Sequence, residues 1–96
     1  MTKKLAPMHP GEVLREEFLV PLKLSAGALA RKMDVPRTRV ERIAEETTGI
    51  TADTALRLSK ALGTTPQLWL NLQNDYLQMA TRALGKKLAK IEPVAA

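Results

Sequence analysis

Apolar residues recur every three or four positions in short segments along this chain, and proline, glycine or a capping residue separates one segment from the next. This spacing places the apolar side chains on one face of an α-helix, whereas a β-strand needs alternation, which no segment shows strongly. The 96 residues are enough for one domain. The sequence therefore predicts an all-α fold of five helices.

Capping residues and helix breakers set the expected bounds of these helices. A serine or threonine hydroxyl at a helix start accepts a backbone N–H, proline fits the first helical position, and glycine ends a helix. The expected helices run from Pro10 to about Leu19, Ser25 to Asp34, Pro36 to about Glu46, Thr51 to Gly63, and Thr65 to Gly85. We predict one folded domain over residues 9–85, with a flexible tail at 1–8 and a flexible basic tail at 86–96.

The composition argues against catalysis and metal binding. The chain has no cysteine and one histidine, His9, which we interpret as a helix-start residue. Clustered acidic ligands, glycine-rich phosphate loops and nucleophile elbows are also missing from the sequence. We therefore expect no cofactor, no metal and no enzymatic activity. No apolar run approaches the roughly 20 residues of a membrane span and no signal peptide is recognisable, which favours a cytoplasmic, nucleoid-associated protein.

Residues 25–46 have the pattern of a helix-turn-helix, two short helices that cross at a steep angle. Ala30 is the small residue expected at the crossing. Asp34 stands in the turn, where aspartate tolerates a left-handed backbone better than most residues. The wedge between the two helices is expected to be filled by Leu29, Met33, Val35, Val40 and Ile43.

The outer face of the third helix is the candidate contact surface for DNA. With Val40 and Ile43 turned inward, the opposite side is centred on Thr38 and Arg42. The N-terminal part of this helix enters the major groove in a helix-turn-helix. A net charge of +5 suits a polyanionic partner, although much of the positive charge lies in the tails. A merely solvated arginine-rich face is less favoured, because the wedge pattern lies directly upstream.

Each polar residue of this region has an expected role. Arg37 or Arg42 could make a forked contact with guanine, and Glu41 could accept a hydrogen bond from a cytosine amino group. Arg39 lies off the central face and is expected to contact phosphate. Ser25 begins the second helix, where exposed backbone N–H groups favour a phosphate.

The fifth helix has an apolar stripe at helical spacing. It holds more apolar surface than a five-helix domain of this size needs, so we predict that its outer part forms a homodimer interface. Stacking of its aromatic residues on bases is less favoured than packing. The predicted interface residues are Leu68, Trp69, Leu72, Tyr76 and Met79.

With these residues in hand, the chain resembles the HigA-type antitoxins, a branch of the phage-repressor-like helix-turn-helix regulators. The likeness covers residues 9 to about 80 and rests on three blocks beside the helix-turn-helix, residues 9–19, 49–58 and 63–73. The resemblance implies a five-helix domain that dimerises through its last helices and binds a palindromic operator upstream of its own operon. It also implies a partner, a HigB-type ribosome-dependent mRNA-cleaving toxin, which the antitoxin neutralises.

The chain departs from the family pattern at three places. Ala26 stands where members often have glutamine, Pro36 replaces a usual serine or threonine cap, and residues 45–48 read Glu-Glu-Thr-Thr where an Asn-Gly-Lys-type loop is usual. These changes predict weak, salt-sensitive DNA binding. Two alternatives therefore stay open: a toxin-neutralising protein-binding module with weak DNA binding, and a stand-alone helix-turn-helix regulator.

Overall fold

The computed structural model of the protein describes residues 8–94, and this part of the chain contains helices and no strand. Its elements are α1 (Pro10–Val13), a π-helical segment (Leu14–Leu19), α2 (Ala26–Met33), α3 (Arg37–Ala44), α4 (Ala52–Leu62), α5 (Pro66–Ala83) and α6 (Gly85–Leu88). The all-α fold and the five expected helices are confirmed, and the short helix α6 adds to them. The predicted tail at residues 1–8 lies outside the described residues, apart from Met8.

Helix ends follow the capping chemistry that the sequence predicts. The hydroxyls of Ser25, Thr51 and Thr65 each accept a hydrogen bond from the backbone N–H three residues on, at 3.0–3.2 Å. At the other ends, Asp34 and Gly63 have left-handed backbones, with φ of 59° and 71°. These caps satisfy backbone groups that a short helix would otherwise leave without partners.

The first helix differs from the prediction in its winding. The sequence predicts one regular helix, yet its second part, Leu14–Leu19, is a π-helix. Its last turn is closed by the N–H of Val20, which donates to the carbonyl of Arg15, five residues back, at 3.0 Å. Apolar spacing identifies a helix but does not distinguish these two hydrogen-bond patterns.

The core joins residues from all of the longer helices, and α2 and α3 contribute five of its buried apolar residues. The predicted small residue Ala30 is 2% exposed, and Val35 packs against the core while partly buried. This packing confirms the helix-turn-helix wedge. The buried apolar residues are Leu14, Leu19, Leu29, Ala30, Met33, Val40, Ile43, Ile50, Ala55, Leu58 and Trp69.

Trp69 lies in the core of its own chain rather than in the predicted dimer interface. Its side chain is completely buried. The ring packs on Phe18 with 5.5 Å between centroids, and the indole N–H donates to the Thr64 hydroxyl at 2.8 Å. A fully buried indole has no surface to offer a second copy, so Trp69 is corrected to a core residue. Helical spacing alone does not separate the inner edge of an apolar stripe from the outer edge.

The start of α1 packs tightly against the end of α3. A Cβ at Gly11 would lie 1.7 Å from the carbonyl oxygen of Ile43, so only glycine fits there. His9 is the N-cap, as predicted for a helix-start residue, and its Nδ1 accepts the N–H of Gly11 at 2.8 Å. Its ring meets Tyr76 of α5 edge-on, at 4.7 Å between centroids. Burial lowers the pKa of His9, which favours the neutral ring that this cap requires.

Two further side chains fix the α3–α4 loop, residues 45–51. Arg15 donates to the carbonyl of Ala44 and pairs with Glu46 at 3.2 Å. From the other side, the Gln73 amide oxygen of α5 accepts the N–H of Ile50 at 2.6 Å. The C-terminal end of α3 is therefore held by α1, the π-helical segment and α5.

Replacing Gly11 by alanine tests the close approach of α1 to α3. We expect Gly11→Ala to lower the free energy of unfolding by about 2–3 kcal/mol, because the new methyl group overlaps backbone rather than a movable side chain. The measurement is urea denaturation followed by circular dichroism. Gly85→Ala is the matched control, since nothing lies within 4 Å of a Cβ there. Equal effects of the two substitutions would contradict the packing described.

Candidate nucleic-acid interface

The two sides of α3 have opposite environments. Val40 and Ile43 are 0% and 1% exposed against the core. Arg37, Thr38 and Arg42 are exposed on the remaining surface of the helix. The face that the sequence identifies as a contact surface is therefore open to solvent, as any contact with a ligand requires.

The exposed arginines of α3 differ in their partners. The Arg37 side chain is 69% exposed and pairs with Glu41 of its own helix at 3.2 Å. Within residues 8–94, Arg42 takes part in no ion pair. An exposed ion pair contributes only about 0–1 kcal/mol, so both Arg37 and Glu41 can exchange each other for a new partner.

The start of α2 lies beside this face. The aliphatic part of Arg37 approaches the first turn of α2, where a Cβ at Gly27 would lie 3.3 Å from Arg37 Cδ. Ser25 is exposed, and its hydroxyl oxygen already accepts the N–H of Ala28 at 3.0 Å. A hydroxyl that accepts one bond still has its proton to donate, so Ser25 can cap α2 and bind an anion at once.

Arg39 belongs to a network that spans three helices. Its Nη1 donates to the carboxylate of Asp53 on α4 at 2.6 Å. The same carboxylate accepts from Nε of Arg57 at 3.0 and 3.1 Å. Arg57 Nη1 in turn donates to the carbonyls of Met33 and Asp34, at 2.8 and 3.2 Å. The network links α3 and α4 to the turn of the helix-turn-helix.

Sequence reasoning missed this network. It predicted a phosphate contact for Arg39 and did not include Asp53 among the candidate site residues. The four-residue spacing of Asp53 and Arg57 was the available signal, since residues so spaced are neighbours on a helix. The hydrogen bonds from Arg39 and then Arg57 lower the pKa of Asp53, so its carboxylate is charged at neutral pH.

An open groove runs between α3 and the start of α4. The residues that line it include Arg39, Arg42, Thr38, Thr48 and Thr51. Guanidinium and hydroxyl groups are the donors that proteins commonly present to phosphate oxygens. The groove thus extends the exposed face of α3 towards α4 with further donors.

The second residue of the α3–α4 loop has an unusual backbone conformation. Glu46 has a left-handed backbone with φ of 65°. The N–H of Glu46 donates to the carbonyl of Ile43, and the N–H of Thr47 to that of Arg42, both at 2.9 Å. This is the Schellman arrangement, in which glycine usually occupies the left-handed position. Glu45 and Glu46 are both exposed here and set negative charge next to the arginines of α3.

The predicted dimer residues of α5 do not form one exposed surface. Leu68 is 37% exposed, and Leu72, Tyr76 and Met79 are half-buried. More exposed apolar side chains lie further along the chain, beginning at Leu77, and every residue from 81 to 94 is exposed. They include Leu77, Leu84, Leu88 and Ile91, with 56%, 44%, 41% and 69% exposure.

No helix within residues 8–94 combines the length and apolar character needed to cross a membrane. In the same part of the chain, His, Asp and Glu residues do not form a group of three that could hold a metal ion.

Comparison with known proteins identifies relatives across most of the chain. Residues 14–69 match the helix-turn-helix family. The chain is 51% identical to virulence-associated protein I of Dichelobacter nodosus over 78 residues, which are 80% of this chain and 72% of that protein. It is 41% identical to antitoxin HigA-1 of Vibrio cholerae over 87 residues, 91% of this chain and 82% of that protein. The structure of the Pseudomonas aeruginosa antitoxin HigA with the higBA promoter superposes with a TM-score of 0.79 at 46% identity, covering 92% of this chain and 98% of that one.

The left-handed residue after α3 generates a stability prediction. A left-handed backbone costs a residue with a Cβ roughly 1–2 kcal/mol, more than the 0–1 kcal/mol of an exposed ion pair. We expect Glu46→Gly to be about 1 kcal/mol more stable than Glu46→Gln, which removes the same pair with Arg15 but keeps the Cβ. Thermal and urea denaturation of both variants provide the measurement. A glutamine variant as stable as the glycine variant would show that φ at this position is not strained.

Proposed function

The chain belongs to the helix-turn-helix family, in its HigA antitoxin branch, and we propose that it is a dimeric repressor that binds an operator upstream of its own coding region and neutralises a toxin encoded beside it. In this role it works by binding and not by catalysis, in the cytoplasm at the nucleoid. One observation supports the proposal above the others. The exposed face of α3 belongs to a chain that matches, over nearly its whole length, a HigA structure determined with promoter DNA.

Base recognition is assigned to the N-terminal half of α3. Entering the major groove, this half would present Arg37, Thr38, Glu41 and Arg42 to base edges. Within residues 8–94, Arg42 takes part in no ion pair that would have to break on binding. Arg37 would give up its ion pair with Glu41 and form hydrogen bonds with guanine instead. A forked arginine–guanine contact contributes about 1–3 kcal/mol of discrimination, more than the exposed pair it replaces.

Phosphate contacts are assigned to the two sides of this face. Ser25 would donate its hydroxyl proton at the start of α2, next to Arg37. Arg39 would contact the backbone from the side of α4. Contacts of this kind position the protein on DNA without selecting a sequence, and they weaken as salt rises.

A homodimer is proposed because a single α3 reads only half of a palindrome. Two copies related by a two-fold axis would present their α3 helices to half-sites about 34 Å apart, or a multiple of that. The exposed apolar side chains in the second half of α5 and in α6 are suited to such an interface. Burying one leucine contributes about 1.5–3 kcal/mol.

The toxin is proposed to be of the HigB type, a ribosome-dependent mRNA-cleaving protein. Co-purification of the chain with the product of the adjacent gene tests this pairing. A second candidate function, toxin neutralisation with weakened DNA binding, is favoured by the exposed Glu45 and Glu46 beside α3. Stable toxin binding without any operator binding would support this second candidate.

Operator recognition is tested with the duplex upstream of the coding region and a scrambled duplex. We expect Arg37→Ala to lose about tenfold in affinity for the operator and little for scrambled DNA, because it removes a base contact. We expect Ser25→Asp to weaken both alike, since aspartate keeps the cap of α2 but repels phosphate. Fluorescence anisotropy over a salt series measures both constants.

Thermal unfolding is the control, because both variants keep the helix caps and should melt near the wild-type temperature. Wild-type protein that shows no salt-sensitive preference for the operator would contradict repression. Equal losses by Arg37→Ala on both duplexes would contradict its role in base recognition.

The dimer surface is tested by introducing one charge by substitution on α5, with the same substitution on α4 as the control. Leu77 and Leu56 are similarly exposed, at 56% and 59%, but only Leu77 lies on the proposed interface. We expect Leu77→Lys to shift the protein to the monomer by at least tenfold in dissociation constant, because a lysine there must be desolvated. Leu56→Lys should sediment like the wild type. A monomeric wild type, or dissociation by Leu56→Lys alone, would reject this surface.

A further inference from the structure

The helix-turn-helix pattern assigns Asp53 no part in binding. Its carboxylate nevertheless forms an ion pair with Arg39 and so joins this arginine of α3 to α4. We propose that Asp53 is a positioning residue for DNA binding, and that it holds the Arg39 guanidinium so that its remaining N–H donors stand ready for a backbone phosphate. This inference rests on the proposed function and deepens it. It adds a residue of α4 to the DNA-binding apparatus.

The geometry leaves most of the Arg39 guanidinium available. A guanidinium has five N–H donors in a fixed plane. Among residues 8–94, Asp53 is the only partner described for Arg39, through Nη1 at 2.6 Å. The side chain is 40% exposed and lines the groove between α3 and α4, together with Arg42 and Thr51. Nη1 is therefore held by Asp53, while the side chain as a whole stays partly open to solvent at the groove.

The carboxylate that holds Arg39 is itself anchored. Asp53 accepts two hydrogen bonds from Nε of Arg57. Arg57 also donates to the carbonyls of Met33 and Asp34, where α2 ends. The position of the Arg39 guanidinium is thus determined by α2, α3 and α4 together, and not only by its own flexible side chain.

Arg37 provides the contrast on the same helix. Its partner Glu41 lies on α3 itself, and the Arg37 side chain is 69% exposed against 40% for Arg39. An arginine that is already ordered loses less conformational entropy when it binds. The anchored Arg39 suits a fixed phosphate contact, whereas the loosely held Arg37 suits adjustment to a base.

A competing interpretation is that Asp53 holds Arg39 away from DNA and so weakens binding. The two interpretations predict opposite changes in DNA affinity when the charge of Asp53 is removed. Removing a negative charge near a polyanion raises affinity by electrostatics alone. A loss of affinity that occurs only when Arg39 is present shows that the position of Arg39 matters more than the charge.

The experiment measures operator affinity over a salt series for Asp53→Asn, Arg39→Ala and the double variant. We expect Asp53→Asn to bind about three- to tenfold more weakly, with the slope of log K against log salt reduced by up to about one, the value of one phosphate contact. In the Arg39→Ala background the same change should no longer weaken binding and should raise affinity slightly, because only the charge effect remains.

Two matched substitutions separate position from charge. Glu45→Gln removes the same charge from an exposed residue that has no ion pair within residues 8–94, and it should raise affinity. Asp53→Glu keeps the charge but lengthens the side chain, and it should weaken binding if position matters. Asp53→Glu also replaces Asp53→Asn as the deciding variant if the asparagine variant does not fold, as judged by thermal unfolding.

A measurement without DNA keeps the inference distinct from the proposed function. We expect 15N relaxation of Arg39 Nε to show a rigid side chain in the wild type and a mobile one in Asp53→Asn. Equal mobility in both would overturn the positioning role, and so would operator binding by Asp53→Asn as tight as that of the wild type. Failure of the wild type to bind its operator would instead overturn the proposed function, with the relaxation result still deciding whether Asp53 orders Arg39.

Discussion

The packing of α3 on its neighbours is the constraint on which the rest of the molecule depends. A helix of eight residues is too short to be stable alone, so its shape and direction come from tertiary contacts. Val40 and Ile43 fix one face by burial. The ends are held separately, by Gly11 and Arg15 at the C-terminal end and by Asp53 through Arg39 near the N-terminal end. Because these contacts are enough to hold α3 in place, its outer face is not needed for packing. That face can therefore consist of polar groups that are available to DNA.

This arrangement explains why family resemblance lies in blocks outside the helix-turn-helix. The block at residues 9–19 supplies Gly11 and Arg15 to the end of α3. The block at 63–73 supplies Gln73, whose amide oxygen accepts the N–H of Ile50 in the α3–α4 loop. Residues in the block at 49–58 anchor Arg39. Each block thus contacts α3 or the loop behind it, so the blocks act as its support rather than as separate sites.

The sequence predicts what depends on local chemistry and fails where several elements meet. Caps at Ser25 and Thr51 and the left-handed Asp34 follow from side chains and their immediate backbone, and they are confirmed. The prediction that Trp69 lies in the dimer interface is wrong, because its burial depends on packing against Phe18 from a distant part of the chain. The network of Arg39 could not be predicted from the sequence for the same reason. Its side chains and carbonyl groups come together only when three helices have packed against one another. The contact roles of the α3 side chains depend on a DNA molecule outside the chain, and they remain predictions.

The charges around α3 indicate how such a surface can be selective. Arg37, Arg39 and Arg15 are each paired with a carboxylate, and Arg42 is the arginine of α3 without an ion pair within residues 8–94. Pairing reduces the long-range attraction that draws a protein to any DNA. The exposed pair of Arg37 with Glu41 is individually weak, however, so a close and well-oriented group on DNA can replace it. A face of this kind would discriminate through short-range contacts with DNA rather than through long-range attraction.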